Sequence, residues 1–188
     1  MTKLRDDPRP TARALGFITL SAARRAQVLG IPGDQKDRGI VWGEIDLDMG
    51  LWTTPGSRMK ADVEHVVPLS EPALAILRGM ERGADDDKLF DVTPEAAWRL
   101  MRQLRPGITV HGLRSTFRDW AGNLTDHSRE VIEEALVHTV GAVEGAYRRR
   151  AMLMKRRTLM ADWGRFLARP YAEALAEWEK TLADREQR

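Results

Sequence analysis

At 188 residues the chain has room for one domain, or one domain with a tail, and its 43% apolar content is enough for a core. The absence of cysteine excludes disulfides, thiolate nucleophiles and zinc–thiolate sites. A net charge of +2 does not by itself argue for a nucleic-acid partner, and the longest apolar stretch, Ala14 to Ala23, is about half a bilayer span, so neither a membrane segment nor an export signal is expected.

Thr11 to Leu29 carries Leu15, Ile18 and Ala22 on one stripe and starts behind Pro10, which predicts a helix. "GIPGDQKDRG", Gly30 to Gly39, breaks that pattern and predicts a loop. From Ile40 to Ser70 the apolar residues alternate in short runs, with turn signals at "DMG" and "PGS". Two or three antiparallel strands are expected there. Helical periodicity returns over Glu71–Glu81, Pro94–Leu104, His111–Leu124, Ser128–Leu136, about Val143–Leu167, and a tail from Tyr171 with Leu175, Trp178 and Leu182 on its apolar face. The expected class is α+β and mainly α, with a small antiparallel sheet of three strands or a hairpin. Charge is uneven: acids collect in "GADDDK", which reads as a polar loop, while Arg148 to Arg157 holds six basic residues in ten. That basic run is either a solvated helix face or a surface for an anionic partner.

Two constellations carry chemistry. In "TVHGLRSTFRDW", His111 and Arg114 are three residues apart at a predicted helix start, where free N–H groups and the helix dipole favour an anion. A structural histidine beside a surface arginine gives the same pattern. In "EALVHTVGAVEGAYRRR", His138 precedes Tyr147 by nine residues. On one straight helix that spacing, about 900° of rotation, would point the two side chains in opposite directions. Gly141 and Gly145 supply a break that lets a new helix bring Tyr147 back toward His138.

Arg24 in "LSAAR", Lys60 in "SRMKADVEHVVPL", His111, Arg114, His138 and Tyr147 follow one another in an order that resembles the catalytic domain of tyrosine recombinases, in particular phage and genomic-island integrases. The matching segments, with "KRRTLMADWGRFL" at the end, cover most of Ala12 to Leu167. The resemblance implies a helical catalytic domain over residues 1–169, followed by a helical tail over 170–188. It also implies site-specific recombination of double-stranded DNA, integration or excision, through a 3′-phosphotyrosine intermediate. Tyr147 is then the nucleophile, and Arg24 and Arg114 hold the phosphate oxygens. Lys60 is the general acid, His111 and His138 complete the cage, and Arg148, Arg149 and Arg150 are candidates for DNA contact. No cofactor or metal is implied. The expected assembly is a tetramer on DNA, and the expected compartment is the bacterial cytoplasm.

Neighbouring residues compete for some of these roles. Arg25 adjoins Arg24, but the family places its arginine directly after the small-residue pair. Arg58 lies close to Lys60. His65 and His127 match no catalytic position and are expected to be strand or loop histidines, and Tyr171 a helix-start residue. The chain also departs from the family: Gln27 stands where an acid is usual, the Gly30–Gly39 link is long, and almost nothing precedes Thr11, where relatives carry arm-binding and core-binding regions. These departures leave open a non-catalytic DNA-binding remnant, a helical interaction module, and a type IB topoisomerase-like nicking and closing activity.

Overall fold

The computed structural model describes residues 1–34, 37–59, 62–137 and 146–186. Its centre is a helix that is apolar on almost every side. Pro10–Ser21 (α2) starts with Pro10 in its first turn, where the missing N–H costs nothing. It buries Ala12, Ala14 to Leu20 and Ser21. Buried hydroxyls on such a helix need partners, and Thr19 and Ser21 donate back to Leu15 O and Phe17 O, each at 2.7 Å. Thr2–Arg5 (α1), Glu71–Arg78 (α4), Pro94–Leu104 (α5) and Ala146–Ala168 (α8) all pack on it.

The expected continuous helix from Thr11 to Leu29 is two helices. Ala22 takes a left-handed conformation (φ 50°), Arg24 is extended, and a new helix, Arg25–Leu29 (α3), begins. No glycine or asparagine marks this break. The short α1 was also not expected from the sequence.

The alternating region folds as a three-stranded antiparallel sheet of order β1-β2-β3, with β1 at Ile45–Asp46, β2 at Leu51–Thr54 and β3 at His65–Pro68. Its register pairs Ile45 with Trp52, Trp52 with Val67, and Thr54 with His65. Trp52, fully buried, packs against Phe17 of α2 at 5.8 Å between ring centroids and joins the sheet to the central helix. The remaining helices, Gly112–Leu124 (α6), Arg129–Ala135 (α7) and Tyr171–Glu186 (α9), keep close to their expected bounds, so the chain is α+β and mainly helical.

Two apolar clusters result. One surrounds α2, the sheet, α4 and α5. The other gathers Phe117, Trp120, Val131, Leu136, Leu159 and Trp163 between α6, α7 and α8. Trp163 ties the two together, because its indole N–H donates to Thr19 O at 2.8 Å while its ring stacks on Phe166. The tail helix α9 packs on α6 of the same chain, with Trp178 against the second cluster.

Where α8 crosses the start of α4, Gly164 lies so close to Ser70 that an added Cβ would sit 2.7 Å from Ser70 Cβ and 2.8 Å from its hydroxyl oxygen. Ser70 is itself buried, with little room to yield. Gly164→Ala is therefore expected to lower stability by about 1–3 kcal/mol through overpacking, outweighing the gain of about 1 kcal/mol in helix propensity. Urea unfolding checks this; a variant more stable than the wild type would overturn the close-approach argument.

Candidate active site

Arg114 lies in the first turn of α6. Thr109 Oγ1 accepts the Gly112 N–H at 3.0 Å and starts this helix, and His111, exposed, sits at its N-terminal boundary. Arg114 is buried to 5% exposure. Its guanidinium donates to Ala22 O at 2.5 Å and to Leu136 O at 2.7 Å. Helix ends leave carbonyls without intrahelical partners, and here one planar fork satisfies two of them from different helices. Arg24 reaches the same place, its Nη2 lying 3.5 Å from Val137 O. Two sequence-expected arginines thus meet at consecutive carbonyls, at the point where α7 ends.

Neither arginine has a carboxylate partner among the described residues. Burial, and then repulsion from Arg24, pull the Arg114 pKa down to about 10, so at neutral pH it keeps its proton. The result is a concentration of uncompensated positive charge, which favours an anion with several acceptor oxygens.

Gln27 fills the place of the usual acid with neutral chemistry. Its Oε1 accepts the Arg24 backbone N–H at 3.0 Å, and its Nε2 donates to Met59 Sδ at 3.4 Å. It therefore fixes the start of α3 and ties it to the hairpin one residue before Lys60. Lys60 itself lies outside the described residues, between Met59 and Asp62, whose N–H returns to Met59 O at 3.0 Å. Arg58 is taken up elsewhere: its side chain, 8% exposed, donates to Glu44 at 2.6 Å and to Gly39 O. Glu44 also accepts the Trp52 indole N–H at 3.1 Å. Arg58 thus anchors the base of the hairpin to the loop before the sheet, and is not free to act in place of Lys60.

His138 is outside the described residues. α7 ends at Ala135, Val137 adopts a left-handed conformation (φ 56°), and α8 begins at Ala146; Gly141 and Gly145, where the spacing of His138 and Tyr147 leads one to expect the break, also lie outside the described residues. Tyr147, Arg148 and Arg149 belong to the first turn of α8, with their side chains outside the description; Arg150 is exposed.

His65, expected as a strand histidine, does stand in β3, but it also faces the arginines. Burial first, and then the charges of Arg156, Arg24 and Arg114, hold its pKa down to about 3, so it is neutral at physiological pH. Strand alternation could not reveal this, because the three arginines come from other elements. His127 lies away from the site, 2.8 Å from Asp162 of α8, and α9 starts at Tyr171. Among the described residues no group of three His, Asp or Glu side chains could hold a metal.

The prophage integrase IntA of Escherichia coli K12 is 37% identical to this chain over 136 residues, 65% of the chain and 32% of the relative. The chain is a homologue of phage integrases. The prophage integrase IntZ of the same strain is 29% identical over 158 residues, 79% of this chain and 39% of its own length. The integrase of enterobacteria phage P4 is 26% identical over 199 residues, covering 86% and 45%. The chain therefore spans less than half the length of those relatives. No family model and no solved structure matches it. No helix among its described residues is long and apolar enough to cross a membrane.

The depressed pKa of His65 gives the chain an acid sensitivity. Above about pH 6.5 the residue is neutral in folded and unfolded chains alike. As pH falls from there toward 3, the unfolded chain takes up a proton that the folded site refuses, so stability declines, by at most about 1.4 kcal/mol per pH unit for this one group. In His65→Gln, urea midpoints measured from pH 7 to 4 are expected to fall less steeply than in wild type; an unchanged slope would remove His65 from the arginine cluster.

Proposed function

We propose that this chain is the catalytic part of a site-specific recombinase that cuts and rejoins double-stranded DNA through Tyr147. One observation carries the reading: Arg24 and Arg114 meet at the carbonyls of Val137 and Leu136 with no carboxylate to neutralise them among the described residues, immediately before His138. An integrase homologue that concentrates unpaired guanidinium charge at this point is suited to grip a phosphodiester.

In the proposed reaction Tyr147 Oη attacks phosphorus and passes its proton to a neutral imidazole of the cage, His111 or His138, and a 3′-phosphotyrosine bond forms as the P–O5′ bond breaks. The 5′ oxygen leaves as a hydroxyl after taking a proton from Lys60, which avoids release of a basic alkoxide. Arg24 and Arg114 hold the non-bridging oxygens and offset the charge that develops in the transition state. His111 and His138 complete the cage by hydrogen bonding. The phosphodiester energy is kept in the covalent intermediate, so a second 5′-hydroxyl can reverse the step without ATP. Arg148, Arg149 and Arg150 extend the contact along the adjacent backbone. The working assembly is a tetramer on DNA, in the compartment that holds the DNA.

Incubation with a nicked suicide duplex carrying the attachment-site core is expected to trap a covalent protein–DNA band resistant to SDS. Tyr147→Phe abolishes it, and Arg24→Gln lowers the rate by on the order of 10²-fold, the typical loss for one preorganised donor. DNA binding without an adduct in wild type favours the non-catalytic remnant, and an adduct that survives in Tyr147→Phe refutes the assignment of the nucleophile.

The same contact set makes binding sensitive to salt. For about four neutralised phosphates, affinity falls by on the order of 10²-fold between 50 and 200 mM salt. A titration that is flat in salt would rule out a binding mode dominated by phosphates.

A further inference from the structure

We propose that Arg156 is a positioning residue for strand transfer, joining the helix that carries Tyr147 to the strand that follows Lys60 and to the helix that leads to His138. The inference rests on the recombinase reading above. It starts from an arginine in the middle of α8 that is only 6% exposed, inside a basic run whose sequence also allowed a solvated helix face. Its Nη1 donates to Val66 O of β3 at 2.7 Å, and its Nε stands 3.5 Å from Glu134 Oε1 of α7. Three elements of the site therefore meet on one guanidinium.

The strand contact follows from the register. β3 is an edge strand, and the Leu69 N–H bonds to Gly50 O across to β2. Antiparallel pairing alternates, so Val67 and His65 direct their backbone groups toward β2, while Val66 and Pro68 direct theirs outward. Pro68 has no N–H to lose at such a position, and the outward carbonyl of Val66 is the one that Arg156 takes. Arg156 thereby closes the open edge of the sheet with the helix of the nucleophile.

A buried cation is a costly way to obtain stability alone, since an apolar side chain of similar volume generally packs as well or better. The ionic partner, Glu134, is partly exposed and sits beyond ordinary hydrogen-bond length, and Arg156 Nε has no hydrogen-bond acceptor. A planar fork does offer a fixed angle between strand and helix, which an apolar contact does not. Arg156 follows Tyr147 by nine residues of continuous helix, about 14 Å along the axis. It therefore acts on the reaction through the position of Tyr147, without touching the phosphate.

The test uses wild type, Arg156→Met and Arg156→Lys on the suicide duplex, together with amide hydrogen exchange. In Arg156→Met the rate of adduct formation at saturating DNA is expected to fall by on the order of 10²-fold, the cost of misplacing a reacting group by about 1 Å. Half-saturation by DNA should stay within about twofold. Arg156→Lys, which can reach Val66 O with its single ammonium, restores part of the rate. Exchange should quicken at the amides of His65 and Val67, the end of α7 and the first turns of α8, with α2 unchanged. A rate at saturation equal to wild type overturns the proposal, as does a uniform rise in exchange, which would mark a general stabiliser. A wild type without adduct refutes the recombinase reading itself; the exchange pattern then still decides whether Arg156 couples the three elements.

Discussion

The fork of Arg114 between Ala22 O and Leu136 O is the contact on which the site depends. Helix α2 ends because Ala22 turns left-handed, and α7 ends just before Val137 does the same. Each turn leaves carbonyls that the helix no longer uses. Arg114 collects one from each, across 92 and 22 residues of chain. Ala22 belongs to the second apolar cluster, whereas the body of α2 belongs to the first, so the fork also sits at the seam between the two. A buried charge there costs desolvation, which lowers the Arg114 pKa but not far enough to discharge it at neutral pH.

Arg58, on the one hand, and Arg24 with Arg114, on the other, are held in two different ways. Arg58 is closed in by Glu44, with Asp37 3.7 Å away and Gly39 O as a further acceptor. Desolvation raises the pKa of both carboxyls, against the opposing pull of the Arg58 guanidinium. Among the described residues, Arg24 and Arg114 take only backbone carbonyls, which accept hydrogen bonds without cancelling charge. The first arrangement fixes a hairpin, and the second keeps a positive potential for an incoming anion. His65, kept neutral by burial and by Arg156, Arg24 and Arg114, adds a hydrogen-bonding ring beside them without adding repulsion.

Legibility in the sequence followed the range of the forces involved. Helix α5 has its expected bounds because its signals are local: Thr93 accepts the Ala96 N–H at 3.2 Å, Pro94 occupies the first turn, and the apolar residues repeat at helical spacing. The sheet was legible from alternation and turn residues. The break at Ala22 was not, since alanine carries no left-handed preference and the partner of its carbonyl is Arg114, far along the chain. For the site, the order from Arg24 to Tyr147 was legible by resemblance, and the structure brings Arg24 and Arg114 together. What faces His65, and which member of "KRR" turns inward, depended on packing between elements, and no periodicity records that. Arg156 is buried while its neighbour Lys155 is exposed, although both belong to one basic run.

Helix α8 gives these contacts a common direction. Arg156 holds β3, Arg157 donates to Met49 O at 3.0 Å, Trp163 holds α2 through Thr19 O, and Gly164 presses on Ser70 at the start of α4. All four attachments lie in the later two-thirds of a 23-residue helix whose first turn contains Tyr147. A helix propagates orientation along its axis because every turn is bonded to the next. Small changes where α8 crosses the sheet are therefore delivered to the tyrosine with the lever of several turns. The sheet edge at Val66 and the hairpin of Lys60 are parts of one strand connection, so nucleophile and general acid, as proposed, would be set from the same place. The proposed formation and reversal of a covalent bond would require those two groups to keep their separation, and a shared anchor is the physical means by which this fold would meet that requirement.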